Sequence, residues 1–374
     1  MNNTESKPST TAAAPAPKGR IAYFDLLKGI AIFMVVMGHA LTMCIRGIDS
    51  AFAFKLIAQV HMPIFFFVSG YFTYKATAAG AWARPNLKKR FLQLIIPFVT
   101  MSTLWTLYFP HCPLQSPLAT TIPDMLQSYW KSGYWFTLCL FEMMLVYWLL
   151  TFALSRLKRT WMQVALMIVV YGVHVALSVN FADEDANVDW VGFGLLAQFY
   201  PVFMMGALAH KCRGAFERIC HSDGCITASI LVFGVIWYAI VYPWDMPWGD
   251  FQPVCTAIKF AAMPVMHLAL MVVMIALVEP WGKRAAEAVQ HPDLVTRYFF
   301  WLGRESLAIY VCHYFFLFPL TVLQGPMRQL GLATVPLTVT AAVVAFAVIA
   351  VTALAIEVIK RSRWLSFLLI GKSL

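Results

Sequence analysis

Charge is what this chain has least of. Asp, Glu, Lys and Arg make up 12% of its 374 residues, against about 25% in soluble domains. There is no CxxC pair among the eight cysteines, and most of them fall in apolar or basic stretches. That argues against a disulfide framework and against a zinc site, and no metal is expected. The N-terminus has no apolar signal core. Residues 1–19 are rich in Thr, Ala, Pro and Ser, the composition of a disordered tail rather than a cleaved signal. No polar stretch is long enough for a separate soluble domain, and no internal repeat is visible. Residues 20–374 therefore read as a single membrane domain.

What fills the chain is apolar: 60% of residues are hydrophobic and 15% aromatic. The long runs predict an all-α, polytopic membrane protein. Ten spans are expected, at about 21–45, 53–75, 91–109, 134–155, 161–180, 191–210, 224–242, 254–279, 298–320 and 335–359. The first would act as an uncleaved signal anchor. The net charge of +10 sits in short clusters between spans, so it marks topology and not nucleic acid. Lys18/Arg20, Arg84/Lys88/Lys89/Arg90, Arg156/Lys158/Arg159, Lys211/Arg213/Arg218, Lys283/Arg284 and Lys360/Arg361/Arg363 fall on one side. The other side holds little beyond Arg46, Lys131 and Arg328, with an acidic loop Asp183-Glu184-Asp185 and the segment Trp244-Asp245-Met246-Pro247-Trp248. Both termini are thus expected in the cytoplasm.

The first span carries Asp25, Lys28 and His39. On a helix the eleven steps from Lys28 to His39 return to within about 20° of one face, and Asp25 lies within about 40° of it. Lys28 and His39 are separated by roughly 16 Å along the axis, and Asp25 and His39 by about 21 Å. Asp25 therefore cannot orient His39 and is expected to pair with Lys28 at i, i+3. Ionisable groups inside a bilayer face the protein or a wet cavity, which makes this face a candidate site. Counting from span ends, His39, His61, Glu142, His174 and His313 fall in one layer, roughly 9–12 Å below the outer surface. His174 and His267 read as hydrogen-bonded interior residues. Glu142 is either an interhelical strut or a site residue. Pro63, two residues after His61, is expected to kink the second span. Lys28 either snorkels to the boundary or binds an anion. Arg84, Lys88, Lys89 and Arg90 are either a topology signal or a phosphate-binding cluster. Trp135 is either an interfacial belt residue or a sugar platform.

These stretches resemble the membrane acyltransferase 3 family, in particular its fucose 4-O-acetylase-like branch. The resemblance runs through Phe24-Asp25-Leu26-Leu27-Lys28-Gly29-Ile30 to Gly38-His39, then His61-Met62-Pro63 to Ser69-Gly70-Tyr71. It continues through Lys89-Arg90-Phe91 to Pro97, Gly133-Tyr134-Trp135-Phe136, and Leu302-Gly303-Arg304-Glu305-Ser306 to His313. A basic residue, ten others and a His is the family signature, here Lys28 to His39. Lys stands where many members carry Arg, so a point charge replaces a bidentate fork. The family's Arg-x3-Arg pattern is here Arg84 and Lys88.

The resemblance implies acyl transfer, with acetyl-CoA as co-substrate and a hydroxyl of a cell-envelope glycan or glycolipid as acceptor, in a bacterial inner membrane. It implies His39 as general base or acyl carrier, in a catalytic set with Lys28 and Asp25. His61, Glu142, His313 and Trp135 would support it or bind the acceptor. Arg84, Lys88, Lys89 and Arg90 would bind the donor. The competing reading is a proton-coupled secondary transporter that uses the same residues as a proton relay.

Overall fold

The computed structural model describes residues 21–45, 52–78, 81–108, 121–184, 186–241, 252–287, 293–320, 322 and 334–372. The expected tail 1–19, Arg46, Arg328, Asp185 and the 244–248 segment lie outside them. Every extended element described is helical. In order these are α1 (Ala22–His39), running on as a π-helical turn (Ala40–Ile45), α2 (Phe52–Thr73), α3 (Leu87–Tyr108) and α4 (Ile122–Gln127). A 3-10 turn (Lys131–Gly133) leads into α5 (Trp135–Leu154), α6 (Thr160–Phe181) and α7 (Phe193–Lys211). Then come α8 (Arg213–Cys220), α9 (Asp223–Ile236) with a second π turn (Trp237–Val241), and α10 (Gln252–Glu287). The chain closes with α11 (Leu294–Arg304), α12 (Ser306–Cys312), a 3-10 turn (His313–Phe316), α13 (Thr334–Lys360) and α14 (Arg363–Ile370).

Eight helices are long and apolar enough to cross a membrane among the described residues: α1 with its π turn, α2, α3, α5, α6, α7, α10 and α13. This is a multi-pass membrane protein. Two of the ten expected spans differ. The stretch at 224–242 belongs to a bent pair, α8 and α9 meeting at 79°, which makes a ninth crossing if taken as one. The stretch at 298–320 is split: Glu305 leaves helical geometry (φ −97°, ψ 11°) and separates α11 from α12. Helical periodicity carries straight through such a break, so the sequence hides it. Pro63 and Pro97 both sit inside continuous helices.

Outward faces of α6, α9 and α13 show bare side chains such as Val169, Leu231 and Leu354. Only hydrocarbon solvates these without cost. In lipid there is no hydrophobic drive between helices, so association relies on close packing at small residues. Two glycine pairs supply it. A side-chain carbon on Gly29 would overlap the Phe299 carbonyl, and one on Gly303 would overlap the Asp25 carbonyl, so α1 and α11 touch backbone to backbone. Gly70 against Phe203 and Gly206 against Phe67 do the same for α2 and α7. Of the eight spans, α1 and α7 are the most buried. At the end of the bundle where α1 begins, Phe24 meets Phe72 at 5.3 Å and Tyr71 stacks on His210 at 4.4 Å. There Lys28 pairs with Asp25 at 2.8 Å, as the i, i+3 spacing predicts.

Gly303→Val should force α1 and α11 apart at a cost of about 1–3 kcal/mol, the range for overpacking. Gly234, which has nothing within 4 Å, should accept Ala without loss. Thermal unfolding in detergent reads both, and an unchanged midpoint for Gly303→Val would refute the backbone contact.

Candidate active site

The site is built where α1 ends. His39 is the last residue of the α-helical stretch, and the chain passes directly into the π turn. Such turns recur at functional sites. The Nε2 of His39 lies 2.9 Å from the Tyr314 hydroxyl. Tyr314 belongs to the 3-10 turn that follows α12. Its hydroxyl also reaches the Gly133 carbonyl at 3.2 Å. The same carbonyl accepts the Tyr310 hydroxyl at 2.6 Å, and Tyr310 Oη accepts the Phe136 N–H at 3.1 Å. Tyr310 and Tyr314 stand four residues apart, on one face of their turn.

A hydroxyl has one proton. When Tyr314 donates to Gly133 O, His39 must donate from Nε2 to the tyrosine oxygen, and its Nδ1 holds a lone pair. That nitrogen has no protein partner among the described residues. The contrast with the other histidines is informative. His61 donates Nδ1–H to Ile57 O at 2.5 Å, His174 to Val170 O at 2.8 Å, and His313 to Ile309 O and Tyr310 O at 2.9 and 2.8 Å. Each is tied to its own helix; His39 is not.

His39 lines a cavity of about 630 Å³, together with His61, Tyr310 and Tyr314. A volume of this order suits a small organic substrate. Trp130, Trp135 and Phe199 give it an aromatic wall. Phe66, Phe199 and Trp135 form a stack, with centroids 4.8 and 5.4 Å apart, and Trp130 meets Trp135 edge-on at 5.9 Å. Gln59, Gln198, Lys55, Lys259 and Glu184 add polar groups. Trp135 is 9% exposed and packed on Phe199, so it is an inward cavity residue and not a lipid-facing belt residue.

The other expected site residues are placed as follows. His313 is fully buried behind the wall, its ring 5.3 Å from that of His39 and its Nε2 without a partner among the described residues. Glu142 does not line the cavity; its Oε2 is buried, unpaired and next to Gly192. Asp25 and Lys28 are likewise off the cavity wall, paired with each other. Arg84 lies over Phe152, 3.6 Å from its centroid, and Arg90 donates to Gln93 at 3.3 Å. Lys88 and Lys89 are exposed. His174 stacks on Tyr200 at 4.8 Å, and His267 is fully buried with both ring nitrogens unpaired. His174 is thus a hydrogen-bonded interior residue, as its sequence setting implies. His267 is interior but makes no hydrogen bond among the described residues.

Three residues of the site, Tyr310, Tyr314 and Trp130, do not stand out in the sequence. The available signal is positional: Tyr310, His313 and Tyr314 share an i, i+3, i+4 pattern, the spacing of one helix face.

These features define a helical membrane protein with an imidazole at the wall of an aromatic-lined cavity. Residues 21–356 match the family described as an acyltransferase domain, Acyl_transf_3, and the chain belongs to that family. It is also similar to Nodulation protein NolL of Mesorhizobium japonicum, 28% identical over 218 residues that cover 56% of this chain and 53% of that protein. Nodulation protein NolL of Sinorhizobium fredii is 29% identical over 196 residues, 50% of this chain and 47% of that protein. The chain thus spans about half the length of the curated relatives it matches. No solved structure matches it.

The carbonyl partners of His61 and His313 set their tautomers, and a Tyr314 hydroxyl that donates to Gly133 O sets that of His39; nitrogen NMR of histidine-labelled protein can read all three. His61 and His313 should both appear as the Nδ1–H form, and His39 as Nε2–H. A Nδ1–H signal for His39 would mean that Tyr314 donates to it.

Proposed function

We propose that this protein is a membrane O-acyltransferase that moves acetyl from acetyl-CoA, supplied on the cytoplasmic side, to a hydroxyl of a cell-envelope glycan or glycolipid. The observation that carries this reading is the open Nδ1 of His39 at the wall of the aromatic cavity, with Nε2 already engaged by Tyr314. The setting is a bacterial cytoplasmic membrane with both termini inside, as the Lys and Arg distribution predicts.

His39 acts as general base. Its Nδ1 takes the proton of the acceptor hydroxyl as the oxygen attacks the thioester carbonyl. The C–O bond forms, the C–S bond breaks, and the imidazolium returns the proton to the departing thiolate. Nε2–H keeps its bond to Tyr314 throughout, so protonation requires no ring rotation. The aromatic wall made by Trp130 and Trp135 packs against the apolar face of a sugar ring. His61, with Nε2 as an acceptor, is suited to a second sugar hydroxyl. His313 stands behind His39 and supports its ring. Lys28, together with Lys88, Lys89 and Arg90, offers cations to the donor phosphates at the inner boundary. Glu142 is a strut in this scheme and Asp25 holds Lys28.

His39→Ala should lower acetyl transfer at least about 100-fold, the scale of a lost general base. Two assays follow it: thiol release from acetyl-CoA by protein in nanodiscs, and O-acetyl content of surface glycans by NMR. Undiminished transfer at normal protein level would end the assignment. Lys28→Ala should raise KM for acetyl-CoA several-fold with kcat nearly unchanged, the pattern of lost uniform binding. Solute movement in vesicles without any acyl donor would instead favour transport.

A further inference from the structure

The turn that carries the Gly133 carbonyl is expensive. Lys131, Ser132 and Gly133 have φ of 46°, 50° and 92°, three left-handed residues in succession. Each non-glycine residue in that region costs about 1–2 kcal/mol, and such backbone persists only where its surroundings over-determine it. Gly133 itself admits no side chain, since a carbon there would overlap the Tyr314 ring.

What over-determines the turn is the side chain of Lys131. It is 1% exposed, although a buried ammonium is costly unless its donors are satisfied. An ammonium has three donors, and three backbone carbonyls surround this one. Leu126 O lies at 2.8 Å, Ser128 O at 3.0 Å, and Asp189 O completes the set. The first two belong to the end of α4 and its cap; the third precedes α7. The Asp189 carboxylate is occupied elsewhere. It accepts the N–H groups of Gly192 and Gly194 at 2.8 Å and of Phe193 at 3.0 Å, capping α7. Burial pushes the Lys131 ammonium below its ordinary value, and the charges of Asp189 and Glu142 oppose that push. The side chain therefore ties the end of α4 and the segment before α7 to its own turn, two residues before the carbonyl that receives Tyr310 and Tyr314.

We propose that Lys131 is a positioning residue for the transfer reaction: its ammonium closes the left-handed turn that aims the Gly133 carbonyl at Tyr314, and through Tyr314 it fixes the ring of His39. The proposal rests on His39 being the base.

A double-mutant cycle tests it, since residues acting through one contact are not additive. The assay is thiol release from acetyl-CoA by protein in nanodiscs, with an envelope glycolipid extract as acceptor. Lys131→Met should lower kcat about 10- to 100-fold, the cost of a small misplacement of a catalytic group. KM for acetyl-CoA should stay within about twofold, because the proposed contacts of the donor phosphates lie at the inner boundary, away from Lys131. In a Tyr314→Phe background the same change should cost less than about threefold more. Losses that multiply would overturn the proposal. Lys131→Arg keeps the charge and carries the same cycle, read in the same way, if the Met variant does not purify as a folded species. His39→Ala run alongside separates the two ideas. Full activity there defeats the base assignment, whereas an inactive His39→Ala with multiplying Lys131 and Tyr314 losses defeats only the role of Lys131.

Discussion

An imidazole inside a membrane protein has no bulk water to orient it, so its aim is set by whichever protein group it can reach. For His39 that group is the Tyr314 hydroxyl at 2.9 Å. A chain of hydrogen bonds on one side of the cavity leads to that bond. The tyrosine is held through Gly133, Gly133 by a left-handed turn, and the turn by a lysine whose three donors are all used within the protein. Buried, each of these polar groups would be a liability alone. Linked, they become a rigid mount, because every unsatisfied lone pair or proton is costly at low dielectric.

The same accounting separates His39 from its neighbours. A helical histidine commonly satisfies Nδ1 on the carbonyl one turn back, as His61, His174 and His313 all do. That bond leaves a residue oriented but chemically quiet on one side. His39 has its tie on the opposite nitrogen and from a different part of the chain, which leaves the near nitrogen open to the cavity. The proposed general-base role asks for an imidazole that is held in place yet unoccupied on one nitrogen, and this arrangement is consistent with it.

Much of this is legible in the sequence, for identifiable reasons. The Lys28 to His39 spacing lies on one helix, where periodicity is reliable, and the Asp25–Lys28 ion pair forms as the spacing implies. Most of the spans announce themselves by length and apolarity. Other parts cannot be read there. Glu305 interrupts the run two residues after Gly303, and a single glycine inside a helical pattern is common enough that the run still looks like one span. Glu142 falls at the same depth as the histidines but off the cavity wall, because depth along a helix axis says nothing of its neighbours. Tyr310 and Tyr314 are ordinary aromatics in an aromatic-rich chain until the 3-10 turn aims them. Lys131 resembles a stray cation in an outer loop; only the three carbonyls around it reveal its burial.

The cavity has two banks of different origin. His39, Tyr310 and Tyr314 come from α1 and the α12 segment, and α1 is locked to the neighbouring α11 by glycine contact at Gly29 and Gly303. Across from them, Lys55, Gln59, Gln198, Lys259 and Met263 come from α2, α7 and α10. Gln59, Gln198 and Met263 on that second bank make none of the hydrogen bonds described for the mount of the imidazole. Evolution, or a protein engineer, therefore has a palette of positions on which to redraw what the pocket admits while the mount of His39 stays as it is.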